Sequence, residues 1–341
     1  MALFNNSKHT YYEEFSSPRD MMNKIKDIFI EQEWILLRYQ TSDYSDELVV
    51  GSPTGEFCIG IKTYISDNNN NVKGIEFQCF RTFNEERSIN NQPMCIPKTN
   101  KKTQFVTQPP QSNIVSGTNK AYIQITRDHL IGCLIDGSNE ARAFYCGKFT
   151  TYANKKQYPL PLFVGGSNNG EDRVLVEDTY CEPDNAANRT TSSFMFGRRI
   201  TKISSTGTNY LTTDYFLDFE GRWQRCAALT TSIIDEYPNF NANGNPENEH
   251  ATILPIASGL TGDIGVFFGE PRIDKIKLLS NKNKTTDNDS YIAGELSNLI
   301  LIYDNTIFNE ELRTINGDDY ICFNDLFRKN SYNNNFAIKI I

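Results

Sequence analysis

Histidine and tryptophan are scarce in this chain of 341 residues, with three of the first (His9, His129, His250) and two of the second (Trp34, Trp223). A metal centre built on imidazoles, or a histidine proton relay, has little to draw on. The eight cysteines stand with at least 12 residues between them and make no C-x-x-C pair. They read as small buried hydrophobes with free thiols, and neither a zinc site nor a disulfide framework is expected. Long runs of positive charge are missing as well: basic residues pair only briefly, as at Lys101-Lys102, Lys155-Lys156 and Arg198-Arg199. With 42 acidic against 34 basic side chains and a formal net charge of −8, the chain lacks the positive face of a general nucleic-acid binder. Its apolar runs, such as Ile256 to Leu260 and Leu299 to Tyr303, fall far short of the roughly 20 residues that cross a bilayer as a helix. No membrane partner is expected. The first residues show no basic segment followed by an apolar one, so synthesis and residence in a cytoplasm are expected.

Hydrophobic residues make up 38% and charged residues 22% of the chain, enough to bury a core. One segment carries a helical period. Ser17-Pro18 supplies a cap and a first-turn proline, and Met21, Met22, Ile25, Ile28 and Phe29 then recur at three- and four-residue spacing, which predicts an amphipathic helix over 18–32. Its apolar face either covers a sheet or docks on a neighbouring subunit, and in the second case Ile25 and Phe29 are the assembly residues.

From Trp34 onward the period becomes two. Strands are expected at 57–64, 75–83, 121–126, 130–135 and 142–149, and later at 210–219, 264–268, 273–279, 299–303, 320–323 and 336–341. The polar run Asp67-Asn68-Asn69-Asn70-Asn71 reads as a hairpin loop. The residues therefore predict a mainly β fold, an antiparallel β-sandwich of jelly-roll or lectin-like type with one N-terminal helix and long loops. The aperiodic stretches 86–118 and 167–195 are long enough to suggest interaction-making loops, and 167–195 is where a subdivision of the single expected domain would fall. Phe336, Ile338 and Ile340 alternate with Ala337, Lys339 and Ile341. This C-terminal strand is expected to close the fold by pairing with an early strand.

Motifs that could carry chemistry are weak. His129 and Cys133 lie in a strand-like context that gives a nucleophilic pair little support. Asp67-x-Asn69-x-Asn71 begins like a calcium loop but places Val72 where glycine is required and Gln78 where a bidentate glutamate is required. Asp287-Asn288-Asp289 and Asn241-x-Asn243-x-Asn245 read as solvated turns. Gly165-Gly166-Ser167-Asn168-Asn169-Gly170 follows a strand without the Lys-Ser/Thr of a P-loop and reads as a tight bend. Asp218 with Glu220, and Glu310 with Glu311, are adjacent carboxylates, but sequence adjacency does not make a glycosidase pair. No catalytic, cofactor-binding or metal-ligating residue is assigned, and no cofactor is expected. A lectin-like alternative would use Tyr152, Tyr158 or Trp223 to stack on sugars.

Several blocks point to a family. They are Ala121-Tyr-Ile-Gln-Ile-Thr-Arg-Asp-His-Leu-Ile-Gly132, Ala143-Phe-Tyr-Cys-Gly-Lys-Phe149 and Gln157-Tyr-Pro-Leu-Pro-Leu-Phe-Val-Gly-Gly-Ser167. Their order resembles a pattern in structural proteins of tailed bacteriophages, especially those with contractile tails. The helix with Trp34, the segment from Glu47 to Ile61, Leu254-Pro255, Gly294-Glu295-Leu296 and the ending from Tyr320 to Ile340 fit the same order, whereas Thr126-Arg127-Asp128-His129 departs from it. The resemblance implies a non-enzymatic virion component of the tail or baseplate, or of the neck, synthesised in the host cytoplasm. It implies other virion proteins as partners and homo-oligomers in ring symmetry, with no catalytic residue to carry over.

Overall fold

The chain is mainly β, as its period-two patterning predicts, with a single α-helix among the described residues. The computed structural model describes residues 10–15, 17–43, 45–64, 73–94, 99–100, 105–106, 111–114, 120–135, 141–166, 168–169, 191–192, 215–219, 221, 223–227, 250–254, 266–267, 270–281, 290–303, 307–324 and 334–341. The elements run β1 (Thr10–Glu14), α1 (Pro18–Glu31), β2 (Ile35–Thr41), β3 (Ser45–Gly51), β4 (Cys58–Tyr64), β5 (Lys73–Phe80), β6 (Gln111–Ile114), β7 (Lys120–Ile125), β8 (His129–Ile135) and β9 (Ala141–Lys148). They continue with β10 (Leu162–Gly166), β11 (Tyr215–Leu217), β12 (Trp223–Ala227), β13 (His250–Leu254), β14 (Glu270–Asn281), β15 (Ser290–Tyr303), β16 (Glu311–Ile315), β17 (Asp318–Asn324) and β18 (Asn334–Lys339). Two-residue ladders add to these, among them Thr150–Thr151, which pairs with β15.

Strands β2-β3-β4-β5-β6 form one sheet. The others form a long sheet in the order β1-β7-β8-β9-β10-β11-β12-β13-β14-β15-β18-β17-β16. Neighbours pair antiparallel except β12 with β13, which run parallel. The long sheet folds back on itself. Side chains of its early strands (Tyr122, Ile131, Cys133, Tyr145, Phe163, Phe216) share one core with those of its late strands (Leu278, Leu299, Leu301, Ile321, Phe323, Phe336, Ile338). The alternate residues of the same early strands (Ile123, Leu130, Leu134, Phe144, Cys146, Val164) face the five-stranded sheet and α1. The sandwich expected from the sequence is thus present with a third layer, and β7 to β11 lie in the middle. All seven residues of β8 are buried. A strand covered on both faces reads as a continuous apolar run, and Leu130-Ile131-Gly132-Cys133-Leu134-Ile135 is such a run.

Helix α1 begins where its cap predicts. Ser17 Oγ accepts from the Asp20 backbone N–H at 3.1 Å, and Pro18 occupies the first turn, where no donor is missed. Met21, Met22, Ile25, Ile28 and Phe29 are buried against β3, β4, β5 and β7. Trp34 follows, edge-on to Phe29 at 4.9 Å and to Phe57 at 5.5 Å, and its indole N–H donates to the Thr126 carbonyl at 2.8 Å. That bond ties the end of the helix to the β7–β8 turn.

Several expectations need correction. The C-terminal strand β18 pairs with β15 and β17, both late strands, and not with an early one. It reaches the early half through its side-chain face instead: Phe336 and Ile338 enter the shared core, and the Gln124 amide donates to the Lys339 carbonyl. Gly165 and Gly166 do not make a bend; they continue β10 opposite Tyr145 and Phe144. Strands β1, β2, β3, β12, β13 and β16 fall outside the expected strand segments, and β6 lies inside a stretch expected to be loop. Hairpin β16–β17 turns at Asn316-Gly317, both with positive φ, as a two-residue turn between twisted strands requires. The Asp67–Asn71, Asn241–Asn245 and Asp287–Asp289 runs lie outside the described residues.

Candidate functional site

A cleft of about 320 Å³ opens at one end of the interface between the two sheets, lined among others by Glu56, Arg81, Met94, Lys155, Asp218 and Phe219. Three turns supply most of its lining, beside Arg81 and Thr82 after β5 and Met94. In the β3–β4 hairpin, Ser52 Oγ accepts from the backbone N–H of Glu56 at 3.1 Å and of Phe57 at 3.3 Å, and Gly55 adopts φ +69. This aims the Glu56 carboxylate at Lys148 and at Lys155, whose Nζ donates at 2.5 Å. In the loop from Asn154 to Leu160, Tyr158 is buried and its hydroxyl donates to the Leu217 carbonyl, pinning the loop to the end of β11. The turn after β11 is held by the Gly221 N–H donating to the Asp218 carbonyl at 3.0 Å, with Asp218 buried and Phe219 exposed.

Hydrogen bonds from Lys148 and then Lys155 lower the Glu56 pKa from 4.5 to about 2. The carboxylate is therefore ionised near neutrality and cannot serve there as the proton donor of a carboxylate pair. Because the shift is downward, the stability it contributes is complete above pH 4.5 and is lost as the pH falls toward 2. The cleft offers an exposed ring, a thioether and two cationic side chains around a partly apolar floor, a surface suited to binding.

The residues singled out by sequence are dispersed. Ile25 and Phe29 are fully buried in the chain's own core, so the helix packs this apolar stripe on the sheets. Of the aromatic residues considered for stacking on sugars, Tyr158 is internal. Trp223 packs half-buried on the core with its N–H donating to the Met94 carbonyl at 2.8 Å, beside the cleft. Tyr152 alone is well exposed, at 54%, and its hydroxyl donates to Glu295 at 2.8 Å. The three form no common platform. Asp218 lines the cleft, while Glu220 lies outside the described residues. Glu310 accepts from Lys120 and Tyr122, whereas Glu311 accepts from Arg313 at 2.6 Å, so these adjacent carboxylates serve different partners.

His129 and Cys133 sit on one face of β8 two strand repeats apart, about 13 Å, too far for a nucleophile to share a proton with its base. His129 is buried, stacked on Tyr145 at 5.1 Å, with Nε2 3.3 Å from the Asn298 amide. Burial lowers its pKa from 6.5 to about 4, against smaller opposing effects of Asp128 and the Lys148 backbone. It is a neutral core residue near neutrality.

Among the described residues no cluster of His, Cys, Asp and Glu is arranged to hold a metal ion, and no helix is long and apolar enough to cross a membrane. Sequence reasoning missed Glu56, Arg81, Lys155 and Phe219, because the cleft joins turns far apart in the chain and no local spacing marks it. No protein-family model matches this chain, and no curated protein sequence does.

Proposed function

We propose that this chain is a structural component of a bacteriophage virion, part of the contractile tail or baseplate, acting through assembly with copies of itself in ring symmetry and with neighbouring virion proteins. The observation that carries the reading is a set of exposed apolar side chains at two open sheet edges. Strand β2 ends the five-stranded sheet and exposes Ile35 and Leu36; strand β16 ends the long sheet and exposes Leu312, with Phe308 just before it 71% exposed. Neither strand has a described partner on its outer flank. Sheet edges flanked by apolar side chains are sites where a partner strand or surface adds. A three-layer body that does not rely on its helix face for docking leaves these edges as the natural contacts. The order of sequence blocks that resembles structural proteins of contractile-tailed phages supports the same role.

Quantitative mass spectrometry of purified phage particles tests this. The chain should be present in several copies per particle, and purified protein should form closed oligomers. A monomer absent from particles would overturn the proposal. A second reading, a host-glycan-binding module, rests on the cleft and its exposed Phe219. Binding on a glycan array that disappears in Phe219→Ala would favour it.

A further inference from the structure

Cys79 on β5 and Cys146 on β9 meet across the core between the two sheets, with their sulfurs 3.4 Å apart and neither residue exposed. Each sulfur reaches the opposite strand: Cys146 Sγ donates to the Gln78 carbonyl at 3.6 Å, and the Gly147 backbone interacts with the Cys79 sulfur. Stacked sheets ordinarily lie about 10 Å apart, yet β5 and β9 come within 8 Å, Cα to Cα. The other described cysteines are distributed elsewhere: Cys58 packs with Val49 and Phe80, Cys133 in the core shared by the two halves of the long sheet, and Cys322 against Ile300 and Ile302. An approach of roughly 1.4 Å between the two sulfurs would bring them to bonding distance.

We propose that Cys79 and Cys146 are a redox pair that closes, on two-electron oxidation, into a disulfide stapling the five-stranded sheet to the middle layer. The oxidant is a small neutral peroxide. Hydrogen peroxide oxidises one thiol to a sulfenic acid and releases water; the second sulfur then attacks the first, the S–S bond forms, the S–O bond breaks, and the hydroxyl leaves as a second water with the attacking thiol's proton. Burial raises the Cys79 thiol well above its ordinary pKa, so the first step is slow and the pair persists as thiols in a reducing cytoplasm. The second step needs no encounter, because the partner is already in place. The crosslink joins positions 67 residues apart, a span long enough to stabilise the fold appreciably. The inference concerns the fold and does not depend on the virion reading; in a particle it would place the lock after exit from the host.

The test uses the full-length reduced protein, incubated with hydrogen peroxide or kept in dithiothreitol, followed by non-reducing peptide mapping. A linked peptide joining Cys79 to Cys146 should appear, dithiothreitol should reverse it, and the oxidised protein should melt several degrees higher. Cys146→Ala should lose both the linked peptide and the shift, whereas Cys58→Ala should keep both. Recovery of Cys79 and Cys146 as thiols, or as sulfinic and sulfonic acids without a linked peptide, would overturn the proposal, as would linkage of Cys79 to Cys58. If Cys146→Ala does not fold, the map of the unsubstituted protein decides alone.

Discussion

Phe144 and Tyr145 are consecutive on β9, so their side chains point to opposite faces, yet both are fully buried. Phe144→Ala removes a ring stacked on Phe77 at 4.5 Å. A buried Phe→Ala substitution costs about 3 to 5 kcal/mol through lost transfer energy and the cavity left behind. The ring lies over Gly132, where a Cβ would stand only 2.1 Å from it. The glycine has no side chain to fill the gap, which places the expected loss toward the upper end of that range. Tyr145→Ala removes a ring stacked on His129 and edge-on to Phe163 at 5.7 Å, together with a hydroxyl that donates to the Lys148 carbonyl at 2.5 Å. A comparable loss of about 3 to 5 kcal/mol is expected there. Urea unfolding followed by the fluorescence of Trp34 and Trp223 measures both. In a two-layer sandwich one of the two positions would face water, and its substitution would stay within about 0.5 kcal/mol. A near-neutral result for either variant would refute the three-layer arrangement.

Other outcomes follow from the same structure. The folded pKa of His129, about 4, lies below its unfolded value of 6.5, so its contribution to stability is complete above pH 6.5 and is lost as the pH falls toward 4. Denaturant titrations should show a loss of about 2 kcal/mol between pH 7.5 and pH 5 that is absent in His129→Gln; an unchanged slope in the variant would remove His129 as its source. Deleting residues 335–341 strips β18 from between β15 and β17 and takes Phe336 and Ile338 out of the shared core. The truncated chain should precipitate or lose cooperative unfolding, and a soluble, cooperatively folded product would contradict this. Thiol titration of freshly purified, denatured and unreduced protein should find Cys58, Cys79, Cys133, Cys146 and Cys322 unbridged, as in the structure. A bridge from Cys58, Cys133 or Cys322 at that stage would be incompatible with the fold.

Much of the architecture is legible in the sequence because alternation is local. The strands around Ile59, Phe77, Ile123, Leu134 and Phe323 all declare themselves by period or by an unbroken apolar run, and Ser17-Pro18 marks the helix start. The unbroken run at Leu130 to Ile135 already carried the signature of a strand covered on both faces. What it could not reveal is which elements provide the two covers, since that depends on contacts such as Tyr122 with Phe323, remote in sequence. The same limit explains the misplaced partner of β18. Its alternation fixes which face is apolar but says nothing about which strand lies beside it. The cleft and the Cys79–Cys146 pair are products of layer packing, and no spacing within one segment encodes either. Ile25 and Phe29 show the reverse case, where the pattern was right and only its use, core against interface, needed the structure.

The role proposed for this body is that of a repeated part of a phage tail or baseplate. Cryo-electron microscopy of the purified particle tests it most directly. A ring is expected in which each copy displays three β-layers and the edges at Ile35-Leu36 or Phe308-Leu312 meet a neighbouring chain. A complete reconstruction of tail, baseplate and neck whose density is fully assigned to other chains would contradict it.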